Sequence, residues 1–299
     1  MPSTTVKGEL FSWQHIVRPN AKDVASVAED FALTTAEAAW LHHAPELPRL
    51  LDRGPWNMLT LHVPGFLMSK HAMERATLVL LYDKRHVVTL CDKPLPMLAA
   101  LAPKGKRRAP KQFDHGTSTD IVAWILGAVF EGLHEITDDM MRAIERLERG
   151  LHRRQSDAMT RDLGRLRRDI LMLDLMVDPA RSVIEELLKT QEPHRSEASE
   201  LALRQIRDRL RGIHVILDHY NKLVDGIFRM HETLLSHHTN RVVQALTIIS
   251  VLLMPPTLIT SYYGMNIADL PLAHDFRIVS LGLVAVVLLF LFLVLRIRR

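Results

Sequence analysis

The stretch VVQALTIISVLLMPPTLITSYYGMN, residues 242–266, decides how the rest of the chain is interpreted. Charged residues are absent from it, and the uncharged run continues to residue 268. A helical, mostly apolar run of about 20 residues matches the hydrocarbon thickness of a bilayer. A second uncharged run, residues 278–295, is apolar at nearly every position. The sequence therefore predicts two transmembrane helices at the C-terminal end, with a buried core helix as the alternative for each run.

The sequence before the first run has the composition of a water-soluble protein. Of the 299 residues in the chain, 24% are charged, and the length suits about two domains. The opening MPSTTVKGEL lacks the apolar segment of a secretory signal. The single Cys91 permits no disulfide within the chain and suits a reducing compartment. We therefore expect this part to be cytoplasmic.

Basic residues beside the two apolar runs indicate the orientation in the membrane. Arg241 precedes the first run, and Arg296, Arg298 and Arg299 follow the second, whereas the connecting segment holds only Arg277. Because Lys and Arg accumulate on the cytoplasmic side, we expect a multi-pass inner (plasma) membrane protein with both termini inside. The net charge of +4 suits contact with an anionic inner leaflet, and no nucleic-acid partner is expected.

The first hundred residues alternate between strand-like and helix-like segments. Apolar and β-branched residues bounded by Gly, Pro or charged residues are typical of strands. Four segments have this composition: FSWQHIV (11–17), WNMLTLHV (56–63), ATLVLLY (76–82) and HVVTLC (86–91). Residues 83–85 suit a hairpin turn, and Pro19-Asn20 suits the start of a helix. This pattern predicts a small α/β domain.

The middle of the chain begins with a basic segment, KGKRRAPK, residues 104–111. We interpret it as a linker, with a site for acidic lipid or nucleic acid as the alternative. Residues 119–151 and 157–188 carry apolar side chains at helical spacing and predict an antiparallel helix pair. A third helix is expected to start near residue 196.

The third predicted helix carries an apolar stripe with alternating spacings of four and three residues, which buries against other helices. The stripe comprises Ile206, Leu210, Ile213, Leu217, Tyr220, Val224 and Ile227, and it continues through His231, Leu234 and His238. It enters the first apolar run without a Gly or Pro to end the helix. Because no segment of one chain obviously covers it, we expect several copies to associate along this stalk.

The order of these features resembles the CorA family of divalent-cation channels over nearly the whole chain. The residues that carry the resemblance are Tyr263-Gly264-Met265-Asn266 after LLMPPTLITSYY, FSWQHIVRPN before a helix, and VVTLCDKPLP after the hairpin. The resemblance implies a funnel-shaped homopentamer. Its protomer would have an α/β cytosolic N-terminal domain, long stalk helices and two C-terminal transmembrane α-helices.

The resemblance also divides the chain into segments. They are an α/β domain (1–103), a basic linker with a charged helix pair (104–195), a stalk helix (196–240), a pore-lining transmembrane helix (241–262), an external loop (263–276), a second transmembrane helix (277–296) and a basic tail (297–299).

Site residues follow from the same resemblance. It implies a selectivity filter of Gly264, Met265 and Asn266, and a pore lined by Asn240, Val243, Leu246 and Met254. Mg²⁺ demands octahedral oxygen geometry and sheds water reluctantly. A ring of neutral amides hydrogen-bonds the water shell of the ion and still releases it, as conduction requires.

Two departures leave the transported ion open. The family often carries Met-Pro-Glu-Leu after the triplet, but Leu272 stands where that Glu would be, so Asp269 and Asp275 are the candidate loop acids. His231 and His238 would recur as rings in a pentamer, and imidazole suits Zn²⁺, Co²⁺ and Ni²⁺ better than Mg²⁺. The alternative is that both histidines are polar spacers.

We expect a channel for divalent cations, with Mg²⁺ as the transported ion and Co²⁺, Ni²⁺ or Zn²⁺ as further candidates. No covalent cofactor and no enzymatic activity are expected, because the sequence has no phosphate-binding loop or catalytic constellation. Two alternatives remain. One is a zinc or other transition-metal transporter on the same fold, with or without proton coupling, and the other is a non-conducting, membrane-anchored scaffold.

Overall fold

The structure, a computed structural model, describes residues 4–7, 11–42, 45, 47–66, 73–101, 117–151, 157–190, 195–265 and 276–297. The chain divides into two compact units, Met1–Phe228 and Arg229–Arg299. The boundary between the units falls inside one long helix.

The described residues of the first unit form a six-stranded sheet in the order β1-β2-β6-β5-β4-β3. Its strands are β1 Thr4–Lys7, β2 Ser12–Val17, β3 Arg49–Asp52, β4 Asn57–Phe66, β5 Met73–Tyr82 and β6 His86–Cys91. Strands β2 and β6 are parallel, and the other neighbours are antiparallel. The four predicted strands are confirmed, as is the turn at 83–85, where the Asp83 backbone N–H donates to the His86 carbonyl oxygen at 2.9 Å.

Eight helices are described. They are α1 Ala21–Asp30, α2 Thr35–His42, α3 Pro96–Leu101, α4 Ser118–Glu131, α5 Leu133–Gly150, α6 Asp157–Lys189, α7 Glu197–Tyr263 and α8 Phe276–Ile297. The first predicted helix of the pair, residues 119–151, is therefore wrong as one element. It is interrupted at Gly132, which ends α4 and precedes α5.

Side-chain caps fix two helix starts. The Asn20 side chain accepts hydrogen bonds from the backbone N–H groups of Lys22 and Asp23, and Asp23 accepts one in return. Thr117 and Asp120 form the same reciprocal capping box at α4. Each box satisfies backbone donors that have no partner inside the helix. Asp120 also accepts a hydrogen bond from Ser196, which ties the start of α4 to the residue before α7.

The apolar core of the first unit includes residues from the sheet and from α1 and α2. The cluster contains Ile16, Val24, Val27, Phe31, Leu41, Trp56, Met58, Val79, Leu81, Val88 and Leu90. A buried polar group lies at Trp13, whose indole N–H donates to Thr89 Oγ1 at 3.0 Å. His15 Nδ1 lies 2.9 Å from the same hydroxyl oxygen. The Trp13 ring packs edge-on against Trp124 of α4, with 6.2 Å between ring centroids.

The apolar stripe of α7 is buried by the chain itself over its first part. Ile206, Leu210, Ile213, Leu217, Val224 and Ile227 are all buried in the single chain. Helix α6 lies alongside, because Asp174 Oδ1 is 2.7 Å from His214 Nδ1 and Arg167 pairs with Asp225 at 3.3 Å. The expectation that only other copies could cover this stripe is therefore wrong for residues 206–227. Helical spacing identifies a buried face but not which segment buries it.

We expect Leu217→Ala to lower the free energy of unfolding of the first unit by about 2–5 kcal/mol, the usual cost of emptying a buried leucine site. Leu217 is 0% exposed, whereas Val215, two residues away on the same helix, is 61% exposed. Val215→Ala is the matched control, with an expected change below about 0.5 kcal/mol. Chemical denaturation of the purified protein in detergent measures both. Equal effects would show that the stripe is not covered.

We also expect the stability of the first unit to fall in mild acid through His15. Burial lowers the pKa of His15 from its ordinary value of 6.5, and its Nε2 has no hydrogen-bond partner among the described residues. The folded state therefore binds fewer protons than the unfolded state, so the stabilisation present above pH 6.5 is lost as the pH falls toward the folded-state pKa.

Thermal melting of wild type and His15→Asn between neutral and acidic pH checks this dependence. Asparagine keeps a polar group near Thr89 but does not titrate, so its melting temperature is expected to change less with pH. His237→Asn, at an exposed position, is the control and is expected to follow wild type. An unchanged pH dependence in His15→Asn would refute the assignment.

Candidate ion pathway

The second unit contains the last part of α7 and all of α8. Within the described residues, α7 is the one helix that is long and apolar enough to cross a membrane. Helix α8 contains a shorter described apolar segment, Ser280–Phe292. The first predicted span thus coincides with an apolar helix of sufficient length, and the second span stays a prediction.

The last part of α7, in the second unit, has one stripe of half-buried residues and an exposed stripe on the opposite face. The half-buried stripe has helical spacing and comprises Ile248, Leu252, Pro255, Pro256, Ile259 and Tyr263. The three predicted apolar pore residues lie on the opposite face, where Val243 is 53%, Leu246 is 64% and Met254 is 74% exposed. A single chain therefore leaves these three side chains uncovered. The half-buried stripe was not identified from the sequence, although its spacing of three and four residues was readable.

Three threonine hydroxyl groups of the apolar run find hydrogen-bond partners within the helix. The hydroxyl groups of Thr247, Thr257 and Thr260 donate to the carbonyl oxygens four residues earlier, at 2.8, 2.8 and 2.9 Å. Pro255 and Pro256 lie inside α7, and because proline has no N–H, two carbonyl groups one turn earlier lose their usual donors. Those carbonyls belong to a face that carries no charged side chain.

The outer end of the apolar run is a helix terminus at Gly264. Helix α7 ends at Tyr263, and the Gly264 N–H donates to the Thr260 carbonyl oxygen at 2.9 Å. A Cβ atom at position 264 would lie 3.0 Å from that same oxygen, closer than side chains normally approach. Met265 follows and is half exposed. The predicted filter residue Asn266 and the predicted loop acids Asp269 and Asp275 lie outside the described residues.

The inner end of the run carries amides and imidazoles in different surroundings. Asn240 and His238 are exposed on α7, whereas His231 is only 2% exposed. The two predicted histidine rings are thus unlike each other, and the structure does not bring them together. In the part of the chain that the structure describes, no group of three or more His, Cys, Asp or Glu side chains is arranged to hold a metal ion.

This arrangement can guide an ion only through weak contacts. Residues 242–265 offer one side-chain amide, at Gln244, together with hydroxyl and carbonyl oxygens and apolar side chains, and they carry no fixed charge. Without a carboxylate, such a surface is poorly suited to strip the tightly held water from a small dication. Chemically, the exposed stripe therefore suits passage of a hydrated ion between several copies, or contact with lipid.

Comparison with known proteins places these features in one family. The family model described as CorA-like Mg²⁺ transporter protein matches residues 8–299. The cobalt/magnesium transport protein CorA of Thermotoga maritima is 28% identical over 139 residues. That aligned stretch is 46% of this chain and 39% of the relative, so the match spans less than half of the curated protein's length.

Solved structures share the fold. The complete structure of the CorA magnesium transporter from Methanocaldococcus jannaschii has a TM-score of 0.81 at 14% identity, covering 97% of this chain and 96% of that one. The ZntB cytoplasmic domain from Vibrio parahaemolyticus has a TM-score of 0.63 at 12% identity, covering 78% of this chain and 90% of that one. At these identities the structural likeness shows the fold alone.

Cysteine accessibility distinguishes a water-filled pathway from a lipid-facing stripe. In protein reconstituted into liposomes, we expect a small cationic methanethiosulfonate reagent to modify Leu246→Cys and Met254→Cys but not Leu252→Cys on the half-buried stripe. The native Cys91 gives little background, because it is buried and burial raises the pKa of its thiol. Wild-type protein without an introduced cysteine, treated with the same reagent, is the control.

Failure to modify Leu246→Cys and Met254→Cys would contradict a pathway along the exposed stripe. Equal modification of all three variants would contradict the assignment of faces.

Proposed function

The chain belongs to the CorA-like Mg²⁺ transporter family, and on that premise we propose that it conducts divalent cations across an inner membrane as a homopentamer. One observation carries the proposal: the family match runs from residue 8 to residue 299 and includes an intact Gly264-Met265-Asn266 at the end of a membrane-length apolar helix. The proposed topology has α7 and α8 as the two spans, with both termini in the cytoplasm and the connecting loop outside.

The exposed stripe of α7 supports association around a central axis. In a ring of identical copies, each residue of the stripe recurs once per protomer, so Val243, Leu246 and Met254 would form successive apolar rings. These rings would narrow the pore without binding the ion. Asn240 would add a ring of amides at the cytoplasmic end, where the family also carries an asparagine.

The filter proposed at Gly264, Met265 and Asn266 works by moderate attraction. Amide oxygens of Asn266 would accept hydrogen bonds from the water shell of Mg²⁺, whereas carboxylates would hold the ion and slow its release. Gly264 fits this role because the helix ends there and a larger residue would crowd the Thr260 carbonyl group. Asp269 and Asp275 would raise the local cation concentration by long-range attraction.

The driving force in this proposal is the electrochemical gradient. An inside-negative membrane potential contributes about 2.3 kcal/mol per elementary charge per 100 mV. Because a dication carries two elementary charges, its driving force is twice this amount. No coupling to ATP or to another reaction is required for inward flux.

A transition-metal transporter on the same fold is the second candidate. The observation that favours it is the exposed His237-His238 pair beside Asn240, which would place imidazole rings at the cytoplasmic end of the pore. Imidazole nitrogen binds Zn²⁺ in preference to Mg²⁺. His231 is a weaker ligand candidate because it is buried.

Flux into liposomes tests the proposal. We expect purified protein to carry Mg²⁺ to a trapped Mg²⁺-sensitive dye, and we expect Asn266→Ala to reduce the rate by about tenfold or more, since one amide ring supplies the outer contact with the hydrated ion. Asn221→Ala, elsewhere on α7, is the matched control and should retain the wild-type rate.

Parallel vesicles that contain a Zn²⁺-sensitive dye distinguish the alternatives. Zn²⁺ flux without Mg²⁺ flux, lost in His238→Ala, would replace the magnesium proposal with the transition-metal candidate. Absence of flux of either ion, with protein shown to be pentameric, would favour a non-conducting scaffold.

A further inference from the structure

Two adjoining cavities in the first unit have no part in the proposed transport. The first has a volume of about 360 Å³, and its polar lining comprises Arg18, His62, Arg75, Thr77 and Asp92. The second has a volume of about 620 Å³ and is lined by His62 and Arg75 again, by Arg168, and by apolar residues that include Leu47, Leu171 and Leu175. Both volumes lie in the range of small-molecule sites. Because His62 and Arg75 line both, the two cavities adjoin, and together they offer a polar half and an apolar half.

Arginine side chains give the lining of this site a net positive charge. Arg18, Arg75 and Arg168 form no ion pair with any described residue, unlike Arg53, which pairs with Glu37 at 2.6 Å. Asp92 is the one carboxylate that lines either cavity among the described residues. Its Oδ1 accepts a hydrogen bond from the Thr77 backbone N–H at 2.7 Å. The guanidinium groups of Arg18 and Arg75 are therefore available to an anion, whereas Arg168 also interacts electrostatically with Asp169.

Backbone geometry holds two of the polar residues in place. Arg18 has φ of +55°, in the left-handed region that residues other than glycine rarely adopt. Its backbone N–H donates to the Cys91 carbonyl oxygen at 2.7 Å, which fixes it beside the end of β6. On the neighbouring strands, Thr77 pairs directly with His62. Such unfavourable backbone conformations cost free energy and occur preferentially at binding and catalytic sites.

The apolar half of the site is left open on α6. Leu171 and Leu175 are one helical turn apart and are 45% and 73% exposed, and Leu47 is 68% exposed. An inorganic anion would satisfy the arginines but leave this surface in water. A hydrophobic molecule without charge would leave the guanidinium groups unused. The site therefore suits a ligand that has an anionic end and an apolar body.

We propose that this site binds an organic phosphate monoester. The phosphate would lie between Arg18 and Arg75, because the planar guanidinium group donates two parallel hydrogen bonds to phosphate oxygens. The apolar body would lie along Leu171 and Leu175, within reach of Arg168. A nucleotide and the headgroup of a phosphatidic acid both carry this chemistry. The proposal is independent of the transported ion and of transport itself.

Binding to the full chain in lipid nanodiscs tests the proposal by titration calorimetry, with empty nanodiscs as the blank. The probes are AMP, dihexanoyl phosphatidic acid and inorganic phosphate. We expect one or both organic probes to bind about tenfold or more tightly than inorganic phosphate, since only they cover the apolar half. Binding of AMP alone supports a nucleotide source, and binding of the phosphatidic acid alone supports a lipid source.

Variants test the residues of the site. Arg75→Gln and Arg18→Gln are each expected to weaken the organic probes about tenfold or more, as loss of a charge-assisted hydrogen bond implies. Leu175→Ser is expected to weaken the organic probes and leave inorganic phosphate unchanged. Arg161→Gln, an exposed arginine of α6 outside both cavities, is the matched control. All four side chains are exposed, so these variants are expected to fold.

Three results would overturn the proposal. They are no measurable binding of either organic probe, wild-type affinity in both Arg75→Gln and Arg18→Gln, and inorganic phosphate that binds as tightly as the organic probes.

Discussion

Burial of the apolar stripe on α7 by helices of the same chain is the interaction on which the first unit depends. Leu210, Ile213 and Leu217 are fully buried there. Helix α6 contacts the same part of α7 through Asp174, which lies 2.7 Å from His214, and through the ion pair of Arg167 with Asp225. Further along the same helix, Val243, Leu246 and Met254 are exposed in the single chain. Apolar surface of this extent is not left in water, so lipid or further copies of the chain must cover the second part.

This division of one helix connects the first unit, with its sheet, to the apolar run of the second unit. The first part has its partners within the chain and can fold with the sheet. Residues 242–263 instead have hydroxyl groups that bond back to carbonyl oxygens of the same helix, and they carry no charged side chain. An uncharged helix is compatible with a bilayer. In the proposed assembly it also gives a pore in which a hydrated dication meets no strong ligand, and selectivity is left to the neutral residues after Tyr263.

Much of the fold was predictable because its signals are local. Alternating apolar residues and turn residues identified four strands, and Asn20 indicated the start of α1 correctly. The break at Gly132 was missed because an isolated glycine is tolerated inside helices. The partner of the α7 stripe was predicted wrongly because spacing defines a face and not its contacts. The cavity residues Arg18, Arg75 and Arg168 are far apart in sequence, so only the fold shows that they share a site.

The proposed function requires that the exposed stripe of α7 surrounds a pore selective for divalent cations. Current through planar bilayers that contain the purified protein, recorded with MgCl₂ at different concentrations on the two sides, tests it most directly. We expect a current that reverses at the Mg²⁺ equilibrium potential and follows that potential as the gradient is changed. A current that reverses at the chloride potential, or membranes that contain the inserted protein and pass no current, would contradict it.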